Sequence, residues 1–297
     1  MILQENIPLG PKTTMKIGGT ARWYAELQTK ADVEEAWKTA REKNVPLVIL
    51  GGGANTVFEE GTIEALVVKI AADDMAVEGN AATARTGCIL ATLLNGCAKR
   101  GLDLSPLAGI PGTLGGAIVG NAGQGPGGVW LDSFLESVTV YDGRWKTLSK
   151  ADCHFSYRES IFKHWPADPA LPTDGHCPIL WEATLRAPPR PEADVQANIT
   201  ALLRKKIETQ PQRLTAGSCF KAVGGTPAWQ LIDGAKMKGF IVGGVQISEK
   251  HANFLINTGT GTFKDVMGLI TAVRAKVPAL QDIEMRLIGK EGRVVLS

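Results

Sequence analysis

The chain has 297 residues, 44% of them hydrophobic and 21% charged, with a formal net charge of +2 at neutral pH. That balance excludes a disordered chain and gives no electrostatic ground for binding nucleic acid or a membrane surface. The length suffices for a sizeable core and for two domains. Five cysteines (Cys88, Cys97, Cys153, Cys177 and Cys219) form no C-x-x-C pair, and the four histidines (His154, His164, His176 and His251) are scattered. Reduced thiols are therefore expected, without a disulfide framework or a metal site. The start, M-I-L-Q-E-N-I-P, has neither a basic nor an apolar leader, and no apolar run reaches the ~20 residues of a membrane helix. A soluble, cytoplasmic protein is expected.

Val33, Ala36, Trp37 and Ala40 recur at helical spacing and predict an amphipathic helix over 31–44. V-P-L-V-I-L (45–50) reads as a short buried strand running into G-G-G-A-N, and A-L-V-V-K-I (65–70) as a second strand. A helix is expected from Cys88 to Arg100, with Gly101 as its stop. E-S-V-T-V-Y-D (136–142), a Gly143 turn and W-K-T-L read as a hairpin, and 178–187 as a further strand. P-P-R-P-E (188–192) is a linker candidate, followed by a basic helix over about 193–207. T-F-K-D places Thr262 as N-cap of another helix with Asp265 three residues on. The chain closes with a strand (Ile283–Ile288), a K-E-G turn and a last strand. Strands alternate with helices, so the class is α/β or α+β.

Two glycine runs stand out. G-G-G-A-N spans 51–55, and G-I-P-G-T-L-G-G-A-I-V-G-N-A-G spans 109–123. The second holds no charged residue and reads as too poor in side chains for a core element and too apolar for a flexible linker. Glycine lets another group approach the backbone, so the N–H groups themselves become a binding surface, most often for phosphate. Neither run is a G-x-G-x-x-G opening a helix, and neither carries G-K-[S/T], which leaves a Rossmann unit and a P-loop unsupported. G-G-G alone is as readily a plain strand-to-loop turn. Two such loops together favour a long diphosphate ligand held at two points.

The order of V-I-L-G-G-G-A-N-T-V-F, L-A-G-I-P-G-T-L-G-G-A-I-V-G-N-A-G and F-S-Y-R-E-S-I-F-K (155–163) resembles the UDP-N-acetylenolpyruvoylglucosamine reductase (MurB) family. So do T-T-x-x-I-G-G-x-A (Thr13–Ala21), A-G-S-x-F-K (Ala216–Lys221), S-x-K-H-A-N-F-x-x-N (Ser248–Asn257) and E-x-R-x-x-G (Glu284–Gly289). The resemblance covers essentially the whole chain. It implies an α+β protein: a two-subdomain FAD-binding fold of the vanillyl-alcohol-oxidase type at 1–190 (subdomains about 1–72 and 73–190). A C-terminal α+β domain at 200–297 would hold the UDP-sugar.

By that resemblance Gly51, Gly52, Gly53, Ala54 and Asn55 form one FAD loop. Gly109, Ile110, Pro111, Gly112, Thr113, Gly115, Gly116 and Ala117 form the other. NADPH is the implied reductant and the enolpyruvyl UDP-sugar the substrate, both small molecules, with FAD bound non-covalently and no obligate protein partner. Arg158 matches a cation that stabilises charge developing on the substrate carboxylate, a task suited to its planar, permanently charged fork. Ser218 matches the proton donor, and Glu284 a third catalytic residue on the carboxylate side. Lys221, Lys250 and His251 are candidate substrate contacts.

Taken singly these residues have plainer readings. Ser218 would be a turn residue bonding its own backbone, Glu284 part of a solvated strand face, Arg158 a surface ion pair, and His251 structural. Cys219 has no neighbour to lower its pKa and reads as a bystander. The chain departs from the family in F-K-A-V (220–223) for F-K-N-P, in a lone Thr215 before A-G-S, in Lys206 for Arg, and in N-A-G-Q-G-P-G-G for N-A-G-A-Y-G. Its three tyrosines fit the shorter type without a tyrosine-loop insertion. An FAD-linked oxidase and a non-catalytic binding paralogue are the alternatives.

Overall fold

The computed structural model describes residues 1–124, 128–165 and 178–296. Cys177, His176 and the middle of the Q-G-P-G-G departure lie outside them. The helices are α1 (Lys30–Glu42), α2 (Leu90–Ala98), α3 (Leu114–Val119), α4 (Glu192–Thr209), α5 (Ala228–Gly234) and α6 (Phe263–Lys276). Two compact units emerge. The first comprises Met1–Leu3, Tyr24–Gly52 and Leu66–Lys205; the second comprises Gln4–Trp23, Gly53–Ala65 and Lys206–Ser297. Neither is contiguous in sequence. No helix among the described residues is long and apolar enough to cross a membrane.

The first unit is built on an antiparallel five-stranded sheet. Its order is Met75–Glu78, Ala81–Arg85, Ile179–Arg186, Leu135–Tyr141 and Trp145–Ser149. Alternate residues face one way along a strand, so Ala82 and Ala84, Val138 and Val140, and Ala183 and Leu185 join one core with α2 and α3. The expected hairpin around Gly143 is present, with φ of 96° at that glycine. Strand Leu47–Ile49 runs parallel to Leu66–Val68. Leu50 N–H extends the pairing to Val68 O at 2.8 Å and delivers the chain to Gly51.

The glycine run contradicts its reading as too poor in side chains for a core. Thr113 starts α3 from an extended N-cap, and Leu114, Ala117 and Ile118 are buried in the first unit's core. Two glycines cost about 1 kcal/mol each in a helix. Burying Leu114 and Ile118 returns roughly 1.5–3 kcal/mol apiece, so packing overrides propensity.

The second unit carries a sheet ordered Thr215–Ser218, Phe254–Asn257, Val245–Ile247 and Ile241–Val242. A smaller sheet pairs Arg286–Ile288 with Val294–Leu296 and, in parallel, with Thr56–Phe58. Thr262 caps α6 in the expected capping box with Asp265. Met15, Ile17 and Val57 enter this unit's core alongside α5 and α6. Asn257 Nδ2 donates to Met15 O at 2.9 Å and Thr14 Oγ1 to Thr215 O at 2.7 Å, fastening the N-terminal segment there.

P-P-R-P-E is pinned within the first unit and is no free tether. Asp103 N–H donates to Pro188 O and Arg190 N–H to Gly101 O. Arg190 Nη1 lies 3.0 Å from Asp103 Oδ2. Burial pushes the Asp103 carboxyl up, but hydrogen bonds from Ser105 and the Arg190 charge outweigh it and hold the pKa below the usual carboxylate range. A pKa depressed by folding contributes stability above the unfolded value and loses it as pH falls through the folded one. Asp103→Asn should therefore cost about 1 kcal/mol at pH 7, a figure discounted for the half-exposed Arg190. In urea titrations the gap between variant and parent should close as pH drops below about 3.9. A gap independent of pH would remove the carboxylate from the account.

Candidate active site

At the end of strand Leu47–Ile49 the chain turns through Gly51 and Gly52 against Gly112 and Thr113. A Cβ at Gly52 would stand 2.6 Å from Gly112 Cα, and one at Gly51 would stand 2.8 Å from Thr113 Oγ1. Neither Gly51 nor Gly52 has room for a side chain. Among the described residues, none accepts from the N–H groups of Gly51, Gly52, Gly109, Gly112 or Thr113. These amides form a surface that suits a diphosphate, so the residues fit the FAD that the resemblance implies. Not every expected group contributes in that way. Gly115 N–H is spent on Thr86 O at 2.9 Å, and Ala117 N–H on Thr113 O at 3.0 Å.

The far end of the same run holds Arg158. Ser156 and Glu159 exchange backbone hydrogen bonds in both directions, closing a two-residue turn over Tyr157 and Arg158. Arg158 occupies the left-handed region with φ of 56°, a conformation costly for a branched-free but long L side chain unless its surroundings impose it. Three contacts impose it here. Ser160 Oγ donates to Val119 O at 2.7 Å, Asn121 Nδ2 to Ser156 O at 3.0 Å, and Arg158 Nη2 reaches Gly123 O at 3.4 Å. The guanidinium lies 5.1 Å from the centre of the Trp130 ring, which Tyr157 meets edge-on at 5.3 Å. Arg158 is half-buried, with its guanidinium against the Trp130 ring.

In the second unit Ser218 ends strand Thr215–Ser218 opposite Phe254. Among the described residues, nothing hydrogen-bonds to Ser218 Oγ, so it is not a turn hydroxyl satisfied by its own backbone. Asn253 clamps the next residue but one: its Oδ1 accepts from Phe220 N–H and its Nδ2 donates to Phe220 O, both at 2.9 Å. Cys219 N–H donates to Asn253 O, and Glu284 N–H donates to Cys219 O at 2.7 Å. Asn55 Nδ2 donates to Glu284 O at 2.7 Å and Asn55 O accepts from Arg286 N–H. Ser218 and Glu284 thus lie on neighbouring, braced segments of one unit. Gly53, with φ of 66°, tolerates no Cβ because Lys12 O stands in its place.

The remaining candidates are placed differently. Lys250 Nζ donates to Ile207 O. His251 Nδ1 accepts from Asn253 N–H at 3.3 Å, and its ring packs on Phe254. Burial, with the Lys238 charge, lowers its pKa, so the neutral ring carries its proton on Nε2. Lys221 N–H donates to Asp282 O. Cys219 is fully buried, and burial together with the Glu284 charge pushes its thiol far up, which leaves it inert. Among the described residues no group of His, Cys, Asp and Glu could hold a metal. Asn121, Trp130 and Asn253 went unnoticed in sequence, although all three lie inside or beside the quoted motifs.

Gly52→Ala should force the two loops apart, a strain of about 1–3 kcal/mol. In a titration of flavin-free protein with FAD that is roughly a ten- to hundredfold loss of affinity. Gly234→Ala, in open space at the end of α5, should leave the titration unchanged. Equal affinity in both variants would separate the glycine corner from flavin binding.

Comparison with known proteins agrees with this layout. An FAD binding domain model matches residues 21–148, which contain both glycine loops, and a model of the UDP-N-acetylenolpyruvoylglucosamine reductase C-terminal domain matches 210–287. A UDP-N-acetylenolpyruvoylglucosamine reductase of Moorella thermoacetica is 36% identical over 287 residues, 95% of this chain and 90% of its own. One from Synechococcus sp. (strain JA-3-3Ab) is 33% identical over 97% of this chain and 91% of its own. The crystal structure of the enzyme (MurB) from Thermus caldophilus has a TM-score of 0.82 at 28% identity, covering 96% of this chain and 99% of that one. The fold class is the expected α+β arrangement of an FAD-binding fold and a C-terminal α+β domain. With both models matched in order and relatives alike along nearly the whole length, the chain belongs to the UDP-N-acetylenolpyruvoylglucosamine reductase family.

Proposed function

We propose that this chain reduces the enolpyruvyl ether of UDP-N-acetylglucosamine to UDP-N-acetylmuramate, using NADPH and FAD, in cytoplasmic peptidoglycan precursor synthesis. The observation that carries the reading is Arg158, held in a left-handed turn by the end of a glycine run whose other end is a backbone cradle. Backbone strain of this kind persists where a site needs one orientation.

FAD, when bound, supplies hydride drawn from NADPH to the vinyl carbon of the substrate. Within the loops 51–55 and 109–116, the amides of Gly51, Gly52, Gly109, Gly112 and Thr113 would hold it. Arg158 receives the substrate carboxylate and stabilises the negative charge that grows there as hydride arrives. The carbon next to that carboxylate then needs one proton. Ser218 Oγ, uncommitted to any acceptor among the described residues, is the donor, and solvent restores its proton. Glu284 is the third catalytic residue, sharing with Arg158 the task of polarising the carboxylate side. One hydride and one proton complete the reduction. The functional division runs as an FAD-binding part over 1–190 and a UDP-sugar part over 200–297, with Lys221, Lys250 and His251 in the latter. Small molecules are the only partners this reaction calls for.

Anaerobic flavin spectroscopy tests the reading. NADPH should bleach the flavin, and the enolpyruvyl UDP-sugar should restore its colour without oxygen. Ser218→Ala should bleach normally and recover at least about 100-fold more slowly. Reduced flavin that ignores the sugar overturns the function, whereas Ser218→Ala protein that fails to bleach assigns Ser218 to the flavin site or the fold.

A further inference from the structure

Asn121 is 3% exposed and occupies the left-handed region at φ of 37°. Both ends of its carboxamide are used. Nδ2 donates to Ser156 O at 3.0 Å, the first residue of the Arg158 turn. Oδ1 accepts from Asp132 N–H at 3.2 Å, two residues beyond Trp130, whose ring faces the Arg158 guanidinium. One buried amide therefore sets the backbone that presents Arg158 and the segment carrying the aromatic plate against it. The plate itself is tightly set: a Cβ at Gly123 would stand 2.5 Å from the Trp130 ring.

We infer that Asn121 is a positioning residue for Arg158, acting through the turn and not on the flavin or substrate itself. Asn is suited to the place because it tolerates left-handed backbone and offers a donor and an acceptor on one short side chain. Aspartate keeps the size, the tolerance and the acceptor but has no donor for Ser156 O. Glycine keeps the backbone conformation and loses both bonds. The inference rests on Arg158 being the carboxylate-binding group, and its test keeps the two apart.

Asn121→Gly, Asn121→Asp, Arg158→Ala and the double variant Asn121→Gly/Arg158→Ala are compared as holoenzymes. FAD affinity, read from flavin fluorescence, and the rate of bleaching by NADPH should match the parent in both Asn121 variants. Recovery with the sugar should slow by about 10- to 100-fold, with KM for the sugar raised and KM for NADPH unchanged. The double variant should recover no more slowly than Arg158→Ala alone, since residues acting as a unit are not additive. Additive losses, or a drop in FAD affinity in both Asn121 variants, overturn the inference. Parent-like recovery in both Asn121 variants overturns it as well. Parent-like recovery in Arg158→Ala instead refutes the reading of Arg158 on which it rests.

Discussion

The first unit depends on a place where two stretches of backbone meet with nothing between them. Gly52 and Gly112 approach so closely that a single methyl group at Gly52 would fall within 2.6 Å of the opposing Cα. Side chains at Gly51 and Gly52 are excluded by sterics, and what is left on the surface is a set of amides without acceptors among the described residues. Fixed N–H dipoles bind a diphosphate without a mobile cation, and they lose no side-chain entropy in doing so. The approach is possible because each partner is delivered by a rigid element. The parallel strand Leu47–Ile49 leads into Gly51, and the Gly112–Thr113 corner is fastened to the start of α2, Leu90 N–H donating to Gly112 O and Leu114 N–H to Cys88 O.

The same run then changes character. From Thr113 it becomes a short helix whose apolar side chains join the core, and from Val119 it becomes the support of a strained turn. Val119 O, Asn121 Nδ2 and Gly123 O each meet the segment 156–160. Cradle, core helix and support are thus consecutive on about fifteen residues of chain. In the second unit a comparable bracing uses asparagines: the Asn253 side chain holds Phe220 at both backbone atoms, and Asn55 holds Glu284 O through Nδ2 and Arg286 N–H through its backbone carbonyl. The carboxamides of Asn121 and Asn253 act here as double-ended links.

Much of the fold was legible from periodicity. The 31–44 pattern became α1, the 136–142 and 145–148 strands became a hairpin, and T-F-K-D became the α6 capping box. Those signals are local, set by side chains within a few residues. Met75–Glu78 and Ala81–Arg85 were missed because M-A-V-E and A-A-T-A-R carry little β-branched or aromatic character, and their pairing comes from the sheet. The helix at Leu114–Val119 was missed because its glycines argue against it and only its burial argues for it. P-P-R-P-E was misjudged because the partners that pin it, Gly101 and Asp103, lie far back in the chain. The motifs named Arg158, Ser218 and Glu284, but their braces depend on long-range pairings that no single-sequence pattern encodes.

Hydrogen–deuterium exchange on flavin-free and FAD-loaded protein tests most directly whether the glycine corner receives the flavin diphosphate. FAD should slow exchange at Gly51–Gly52 and across 109–113, with slowing also in the 156–160 turn that the end of the run supports. Glycine-loop amides that exchange at the same rate with and without FAD would contradict the account.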